Sequence, residues 1–332
     1  MKIVIDAFGG DNAPLEIVKG AALAQAEYGV DIILTGDEET INRVINDNHL
    51  KFTNLEVVHT TDVITMHDEP TSLIKSHKES SMGIAFKLLA EGRADAFVSA
   101  GSTGAVVVGG TLIVKRIKGV KRPALGSMLP SPDGSYFLMD MGANAECRPE
   151  ILCQFGVMAS AYLEGVEGRK NPTIGLLNIG TEDSKGGELQ QEAYKMLKDA
   201  PINFVGNIES RELPKGVCDG VVTDGFTGNI ALKLIEGTAS TLFKMIKGVL
   251  YKNILNKLCA LVLKKDLYTL KSKMDASEVG GAPLLGVAKP VIKAHGSSDA
   301  KAIKNAVRQA IKFTENDVIG KISNSLNRIN EG

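Results

Sequence analysis

An α/β fold, with helices covering both faces of a mostly parallel sheet, is predicted by three features of this sequence. Short apolar runs alternate along the chain with segments of helical period. The runs are continuously apolar, as strands buried on both faces are. Glycine with a small polar residue recurs where a run gives way to a helix.

The elements follow in order. Lys2 to Asp6 carries the run Ile3-Val4-Ile5 and reads as a strand; Leu15 to Tyr28, entered through Asn12-Ala13-Pro14, reads as a helix. Asp31 to Thr35 is a strand, Glu38 to Asn46 a helix and Leu55 to His59 a strand. A helix over Ser80 to Glu91 precedes a strand over Ala94 to Ser99. Ala105 to Lys115 is helical, and Ala124 to Met128 and Tyr136 to Met139 are strands. A helix over Pro149 to Leu163, a strand over Thr173 to Asn178 and a helix over Glu188 to Leu197 come next. Asn203 to Gly206 and Gly220 to Thr223 are strands, Gly228 to Leu250 is a long helix, 291 to 294 is a short strand, and Asp299 to Thr314 is a closing helix. No repeat or low-complexity linker divides the chain, so residues 1–332 are expected to form one domain of two halves sharing a core.

Composition narrows the function classes. At 44% hydrophobic, 23% charged and a net charge of −1, the chain is an ordinary globular protein with no bulk attraction for nucleic acid. Aromatics are 5% and Trp is absent, which argues against base-stacking platforms. Cys147, Cys153, Cys218 and Cys259 form no CxxC pair and, with the His spacing, no zinc site; scattered thiols suit a reducing cytosol. No apolar run reaches the roughly 18 residues of a spanning helix, and Met1-Lys2-Ile3-Val4-Ile5 is too short an apolar start for a signal peptide.

The chemistry is expected at the carboxyl ends of the strands, where ligands bind in open α/β sheets. The turns there are Asp6 to Asn12, Ser99 to Gly104, Asp140 to Glu146, Ile179 to Gly186 and Asp224 to Asn229, joined by Gly280-Gly281-Ala282-Pro283 and His295-Gly296-Ser297-Ser298. Each alone is compatible with ordinary turn chemistry. Together they are expected to converge on one cleft. "VSAGSTGAVV" (98–107) lets a backbone come close to a hydrogen-bond acceptor, phosphate first, and lacks the lysine of a Walker loop.

These stretches resemble the PlsX family of phosphate acyltransferases. The matches are "DAFGGDNAP", "DEP" (68–70), "SSMGIA", "SAGSTGA", "MGANAECRPE", "LLNIGTEDSKG", "VTDGFTGN", "GGAPLLG" and "HGSS", in family order from residue 6 to 298. Two departures are Ser102, where many members carry Asn, and His77 in a stretch usually richer in Arg. The resemblance implies a three-layer α/β/α sandwich with one mixed sheet and two intertwined halves, as in isocitrate and isopropylmalate dehydrogenases. It implies acyl transfer from acyl carrier protein to inorganic phosphate. The acyl phosphate would feed a membrane glycerol-3-phosphate acyltransferase in bacterial phospholipid synthesis. A homodimer, peripheral to the inner face of the membrane, is implied as well. The alternatives are a phosphate acetyltransferase-like enzyme using a coenzyme A thioester, and a non-enzymatic membrane-surface scaffold.

The residues suit that reaction. Phosphate is already largely a dianion near neutrality and a thiolate leaves readily, so neither a strong base nor a cofactor is required. Positioning of anions and stabilisation of an oxyanion are required. Lys185 is the first candidate for the phosphate cation and Arg148 the second, the competing readings being a solvated lysine and an ion pair with Glu146 or Glu150. Asn144 and Asn229 are candidate donors or helix caps. Ser102 and Thr103 offer hydroxyls beside Gly104; Gly9, Gly10, Thr181 and Ser184 are placed with the phosphate or substrate. Asp224 would orient donors, Asp6 and Asp11 would brace the glycine loop, and His295 is a further catalytic candidate. No acidic spacing demands a metal.

Residues 238–274 break the charge balance, with eight lysines against Asp266 alone. Ile254, Leu258, Leu261 and Val262 share a helical face flanked by Lys257, Lys264 and Lys265, the composition of an interfacial helix on an anionic membrane. An acidic carrier-protein dock and a dimer core compete for the same segment. Leu242, Met245, Ile246, Val249 and Leu250 form a second stripe, fit for a dimer or for its own sheet.

Overall fold

The computed structural model describes residues 1–273 and 280–331. It contains one sheet of 11 strands in the order β3-β2-β1-β4-β11-β10-β5-β6-β9-β7-β8. In chain order these are β1 Lys2–Asp6, β2 Asp31–Gly36, β3 Leu55–His59, β4 Ala96–Ser99, β5 Ala124–Ser131, β6 Gly134–Met139, β7 Thr173–Asn178, β8 Asn203–Glu209, β9 Gly220–Val222, β10 Ala282–Leu285 and β11 Val291–Lys293. The helices are α1 Leu15–Tyr28, α2 Glu38–Asp47, α3 Ser81–Ala90, α4 Thr103–Gly109, α5 Pro149–Gly165, α6 Glu188–Asp199, α7 Gly225–Leu250, α8 Ile254–Lys273, α9 Ala300–Glu315 and α10 Val318–Glu331. The α/β class and the mixed sheet are as the sequence predicts.

Strand polarity divides the sheet. β3, β2, β1, β4 and β11 run parallel to one another. β10 is antiparallel to both β11 and β5, and β5 is antiparallel to β6. β6, β9, β7 and β8 are again mutually parallel but opposed to the first group. The carboxyl ends of β1, β4 and β11 therefore lie at one rim, and those of β6, β9 and β7 at the other. Strand ends alone do not bring the polar turns into one cleft.

The two faces of the sheet are packed differently. On one face a single core runs through both halves, from Ile17 and Val18 of α1 and Ile303 and Val307 of α9 to Phe155, Met158 and Tyr162 of α5. On the other face the halves have separate cores. One gathers Met82, Phe86 and Leu89 of α3 with Ala105 and Val106 of α4; the other gathers Tyr136, Leu138 and Val221 under Leu232 and Ile235 of α7. The shared core on one side joins halves whose cores are divided on the other. Helix entry follows the capping signals. The Asp37 carboxylate accepts from Thr40 N–H, the Ser80 hydroxyl from Gly83 N–H, and the Asp299 carboxylate from Ala302 N–H.

Two elements escape the sequence reading. β10 begins beside Gly280-Gly281 and contains Pro283, residues that read as a turn. α10 buries Val318, Ile322 and Leu326, spaced by four, within the shared core, with Ile319 packed against it.

The shared core is held by an aromatic chain. Phe137 stacks on Tyr162 at 4.6 Å between centroids, and Tyr162 reaches Phe313 at 6.4 Å. Phe137→Ala is expected to cost about 3–5 kcal/mol in denaturant unfolding. Tyr162→Phe is the control: the Tyr162 hydroxyl is buried without a partner among the described residues, so its removal should be neutral or stabilising. A loss above about 1 kcal/mol in Tyr162→Phe would show that the hydroxyl is bonded.

Candidate active site

At the first rim, β1 ends on Asp6, which is 1% exposed. Its carboxylate accepts the Ser81 hydroxyl at 2.6 Å, the Ser99 hydroxyl at 2.8 Å and the Phe8 N–H at 3.3 Å. Burial pushes its carboxyl above the usual range, with the two serine hydroxyls opposing. This one group fastens β1, the start of α3 and the end of β4. Gly9 packs against it. A Cβ on Gly9 would sit 2.5 Å from Asp6 Oδ2, 2.7 Å from Gly101 N and 2.8 Å from Ser99 Oγ, so no side chain fits. Gly10 takes φ +100° with Ala100 and Gly296 against it. The loop is sewn to the 295–298 turn: Asp11 N–H donates to Gly296 O at 2.8 Å, and Asn12 Nδ2 to Ser297 O at 3.0 Å.

Lys293, the last residue of β11, enters this cluster from beneath. It is 8% exposed, and its ammonium donates to Ala100 O at 3.3 Å and to Ala294 O. Burial lowers its pKa from 10.5 to about 8; Asp11 and Asp6 oppose the shift and Lys233 adds to it. The sequence reading passed over this residue, because lysines are rarely buried. The available signal was a lysine closing an apolar strand directly before Ala294-His295-Gly296.

The hydroxyls and glycine of "SAGSTGA" are engaged in packing. The Ser102 hydroxyl caps α4 by accepting from Ala105 N–H at 3.5 Å. Thr103 is the first residue of α4 and is half-buried. A Cβ on Gly104 would meet Pro70 at 2.6 Å, so Gly104 is where α4 lies on the 68–70 stretch. His295 is exposed, and its Nδ1 accepts from Ser297 N–H at 3.2 Å and lies 2.8 Å from the Ser297 hydroxyl, closing its own turn.

At the second rim Asp140 plays the part Asp6 plays at the first. Completely buried, it accepts Leu125 N–H and Ala143 N–H on one oxygen, each at 3.1 Å. The other oxygen takes Asn144 N–H at 2.7 Å and Asn144 Nδ2 at 2.9 Å. Burial raises its pKa against all of these bonds. Asn144 gives its amide to Asp140 and to Pro123 O at 2.7 Å, so its protons hold the turn and none is left for an anion. Asp224 is likewise committed: it caps α7, accepting from Thr227 N–H and Thr227 Oγ1, each at 2.8 Å.

Asn229 differs from these. It is exposed on the first turn of α7, beside Gly142, and its amide has no hydrogen-bond partner among the described residues. Arg148 is exposed and unpaired among the described residues; Glu150 pairs instead with Lys121 at 3.2 Å. Thr181, Ser184 and Lys185 are exposed on the loop after β7. There Lys185 lies 3.8 Å from Glu182, in a weak surface pair, and no contact joins it to either buried carboxylate cluster. That matches a solvated lysine, the competing reading of this residue.

α7 links the two rims. It starts against Asp140, where a Cβ on Gly228 would meet Asp140 O at 1.8 Å. Leu232 and Ile235 then pack with Tyr136 and Leu138, back along β6 toward its amino end. Lys233 is thereby carried close enough to Lys293 to repel it.

Three of the four thiols are held away from the thiolate form, and the fourth, Cys259, is exposed on α8. Burial pushes the thiols of Cys147 and Cys218 up to about 12 and that of Cys153 to about 11. Nor do three or more His, Cys, Asp or Glu side chains gather to hold a metal among the described residues.

Comparison with known proteins identifies the family and the fold. The model of a family described as "Fatty acid synthesis protein" matches residues 1–321. The chain is 50% identical to a phosphate acyltransferase of Anoxybacillus flavithermus, with all of both chains covered. It is 49% identical to that of Alkaliphilus oremlandii, covering 100% of this chain and 99% of the relative. In structure it resembles a phosphotransacetylase from Streptococcus pyogenes, with a TM-score of 0.66, 17% identity and coverage of 95% and 94%. A 4-hydroxythreonine-4-phosphate dehydrogenase from Burkholderia phymatum shares the fold at a TM-score of 0.51, 14% identity and coverage of 94% and 97%.

The buried ammonium generates a stability prediction. Lys293 has a depressed folded pKa, so between pH 8 and 10.5 the unfolded chain holds a proton that the folded chain has released. Stability from this group is therefore gained as pH rises through that window and lost as pH falls to 8. Lys293→Met removes the effect. Its stability relative to the wild type should fall by roughly 3 kcal/mol between pH 7 and pH 10.5. A pH-independent difference would place the Lys293 amine in solvent.

Proposed function

The chain belongs to the phosphate acyltransferase family, and from that premise we propose that it takes a fatty acyl group from acyl carrier protein and passes it to inorganic phosphate. The acyl phosphate then serves phospholipid synthesis. One observation carries this reading: two buried polar clusters rich in close-packed glycine, with the thiols of Cys147, Cys153 and Cys218 pushed toward the protonated form. Such a site offers positioning and charge without a nucleophile of its own. Phosphate is the attacking group. One of its oxygens adds to the thioester carbonyl, a tetrahedral oxyanion forms, and the thiolate leaves. The unpartnered amide of Asn229 and the unpaired guanidinium of Arg148 are the available donors on the side of the second half.

The consecutive helices α7 and α8 support a donor carried on a protein and a product delivered to a bilayer. The stripe of Leu242, Met245 and Val249 is exposed and does not pack on the chain's own sheet. In α8, Leu258, Leu261 and Val262 are 56%, 66% and 81% exposed, between Lys257, Lys264 and Lys265. Met274, the last residue of the basic segment, lies outside the described residues. No described helix is long and apolar enough to cross a membrane. We place the α8 face on an anionic bilayer and the α7 stripe in a homodimer. Each buried leucine would contribute about 1.5–3 kcal/mol and each lysine about 1 kcal/mol to membrane association.

Purified protein incubated with phosphate and acyl carrier thioester should yield acid-labile acyl phosphate and free carrier thiol in equal amounts. Release of thiol without acyl phosphate, or turnover only with a small coenzyme A thioester, would refute the reading. For the bilayer, Leu258→Glu with Leu261→Glu should abolish sedimentation with anionic vesicles and keep activity on soluble carrier thioester. Lost activity with intact vesicle binding would assign the face to the carrier protein instead.

A further inference from the structure

Lys293 is a charged group in a place that makes charge costly, and its local contacts do not exhaust it. The ammonium has three N–H donors. Two reach Ala100 O and Ala294 O, and the third has no acceptor among the described residues. Asp6 and Asp11 are the carboxylates whose fields reach it, yet neither lies within ion-pair distance among the described residues. The Asp6 oxygens are already taken by Ser81 and Ser99, and burial favours its neutral form. The third charged group whose field reaches Lys293 is Lys233 on α7, which repels it and is itself paired with Glu236 at 3.1 Å. A buried cation with a spare donor, short of a counter-ion and in the field of a second cation, is stabilised by an anion between them. Gly9, Gly10 and Gly101 let the backbone close tightly around this group, since a Cβ on any of them would meet protein atoms at 2.5–2.8 Å.

We propose that Lys293 is the cation that holds the phosphate substrate, in the role for which the sequence favours Lys185. The proposal rests on the acyltransferase reading of this site and names the group that binds the attacking anion. Its position joins the two halves of the account. The residue closes β11 at the first rim, and α7 brings Lys233 to it from the second. Bound phosphate would tie the halves through charge as well as through the shared core.

The test separates phosphate from thioester. Lys293→Met has nearly the length of lysine without the charge, and exchanging a buried, unpaired ammonium for an apolar chain should not unfold the protein. The variant's KM for phosphate should rise about ten- to a hundredfold, the loss of one charge-assisted bond. The KM for the acyl carrier thioester should stay within about twofold, a split that a merely structural lysine would not produce. An unchanged phosphate KM in a folded, active variant overturns the proposal. Inorganic phosphate alone gives an independent readout. It should raise the melting temperature of the wild type and not that of Lys293→Met; equal shifts in both proteins overturn the assignment. The pH profile of the wild type is a third readout. Phosphate keeps its charge from pH 8 to 10, so its affinity should fall by about tenfold per unit as the amine titrates above about 8. A flat profile overturns the proposal even if the variant fails to fold. If the wild type binds phosphate through Lys293 but makes no acyl phosphate, the acyl-transfer reading fails and the anion site stands.

Discussion

The burial of two carboxylates, Asp6 and Asp140, is the constraint on which the rest of this structure depends. Asp6 ends β1 and Asp140 directly follows β6, each is buried to 1% exposure or less, and each is satisfied entirely by hydroxyl or N–H donors instead of a cation. Removing either would leave several buried donors unsatisfied at once, the costly side of hydrogen bonding. Because the donors come from separate elements, each carboxylate sets the spacing of its turns. Asp6 draws β4 and α3 so close that only glycine fits at position 9. Asp140 draws the 141–144 turn, the start of β5 and the first turn of α7 together. The sites are rigid before any ligand arrives, and rigidity is what a reaction without a protein nucleophile needs.

The opposed polarity of the two halves then becomes useful. Two sets of strand ends at opposite rims cannot form a cleft by themselves. A helix of 26 residues leaving β9 returns over the face where the cores are divided. It carries Lys233 to where its charge reaches Lys293 of the other half. The same helix continues into α8 through residues 251–253, so the segment that completes the site also bears the exposed apolar and basic surface. Under the proposed function, catalysis and docking would be coupled through one continuous stretch of chain. That arrangement suits an enzyme whose acyl donor and acyl product are both attached to, or bound for, something larger than a metabolite.

Much of this was legible in the sequence, for local reasons. The strand at Lys2–Asp6, the helix at Leu15–Tyr28 and the strand at Thr173–Asn178 have the bounds their patterning predicts, because each is bracketed by turn residues and buried on regular positions. The polar turns at strand ends were readable for the same reason. Individual roles within them were not. Asn144, Asp224 and Ser102 look like free donors and acceptors in sequence, yet they are committed to Asp140, Thr227 and the start of α4. Lys185 stands conspicuously among small residues and is solvated, whereas Lys293 ends an inconspicuous strand and is buried. The difference is made by the pairing of β11 with β4, a contact far along the chain that no local pattern encodes. Strand polarity is non-local in the same way, which is why a single cleft lined by every turn was expected.

The central claim is that phosphate itself attacks the thioester and that the protein only holds and polarises the partners. Intact-mass measurement of the enzyme, mixed with a stoichiometric amount of acyl carrier thioester and no phosphate, tests it most directly. The account predicts an unmodified chain and an intact thioester until phosphate is added. A chain heavier by one acyl group, formed with release of carrier thiol before phosphate is present, would contradict it.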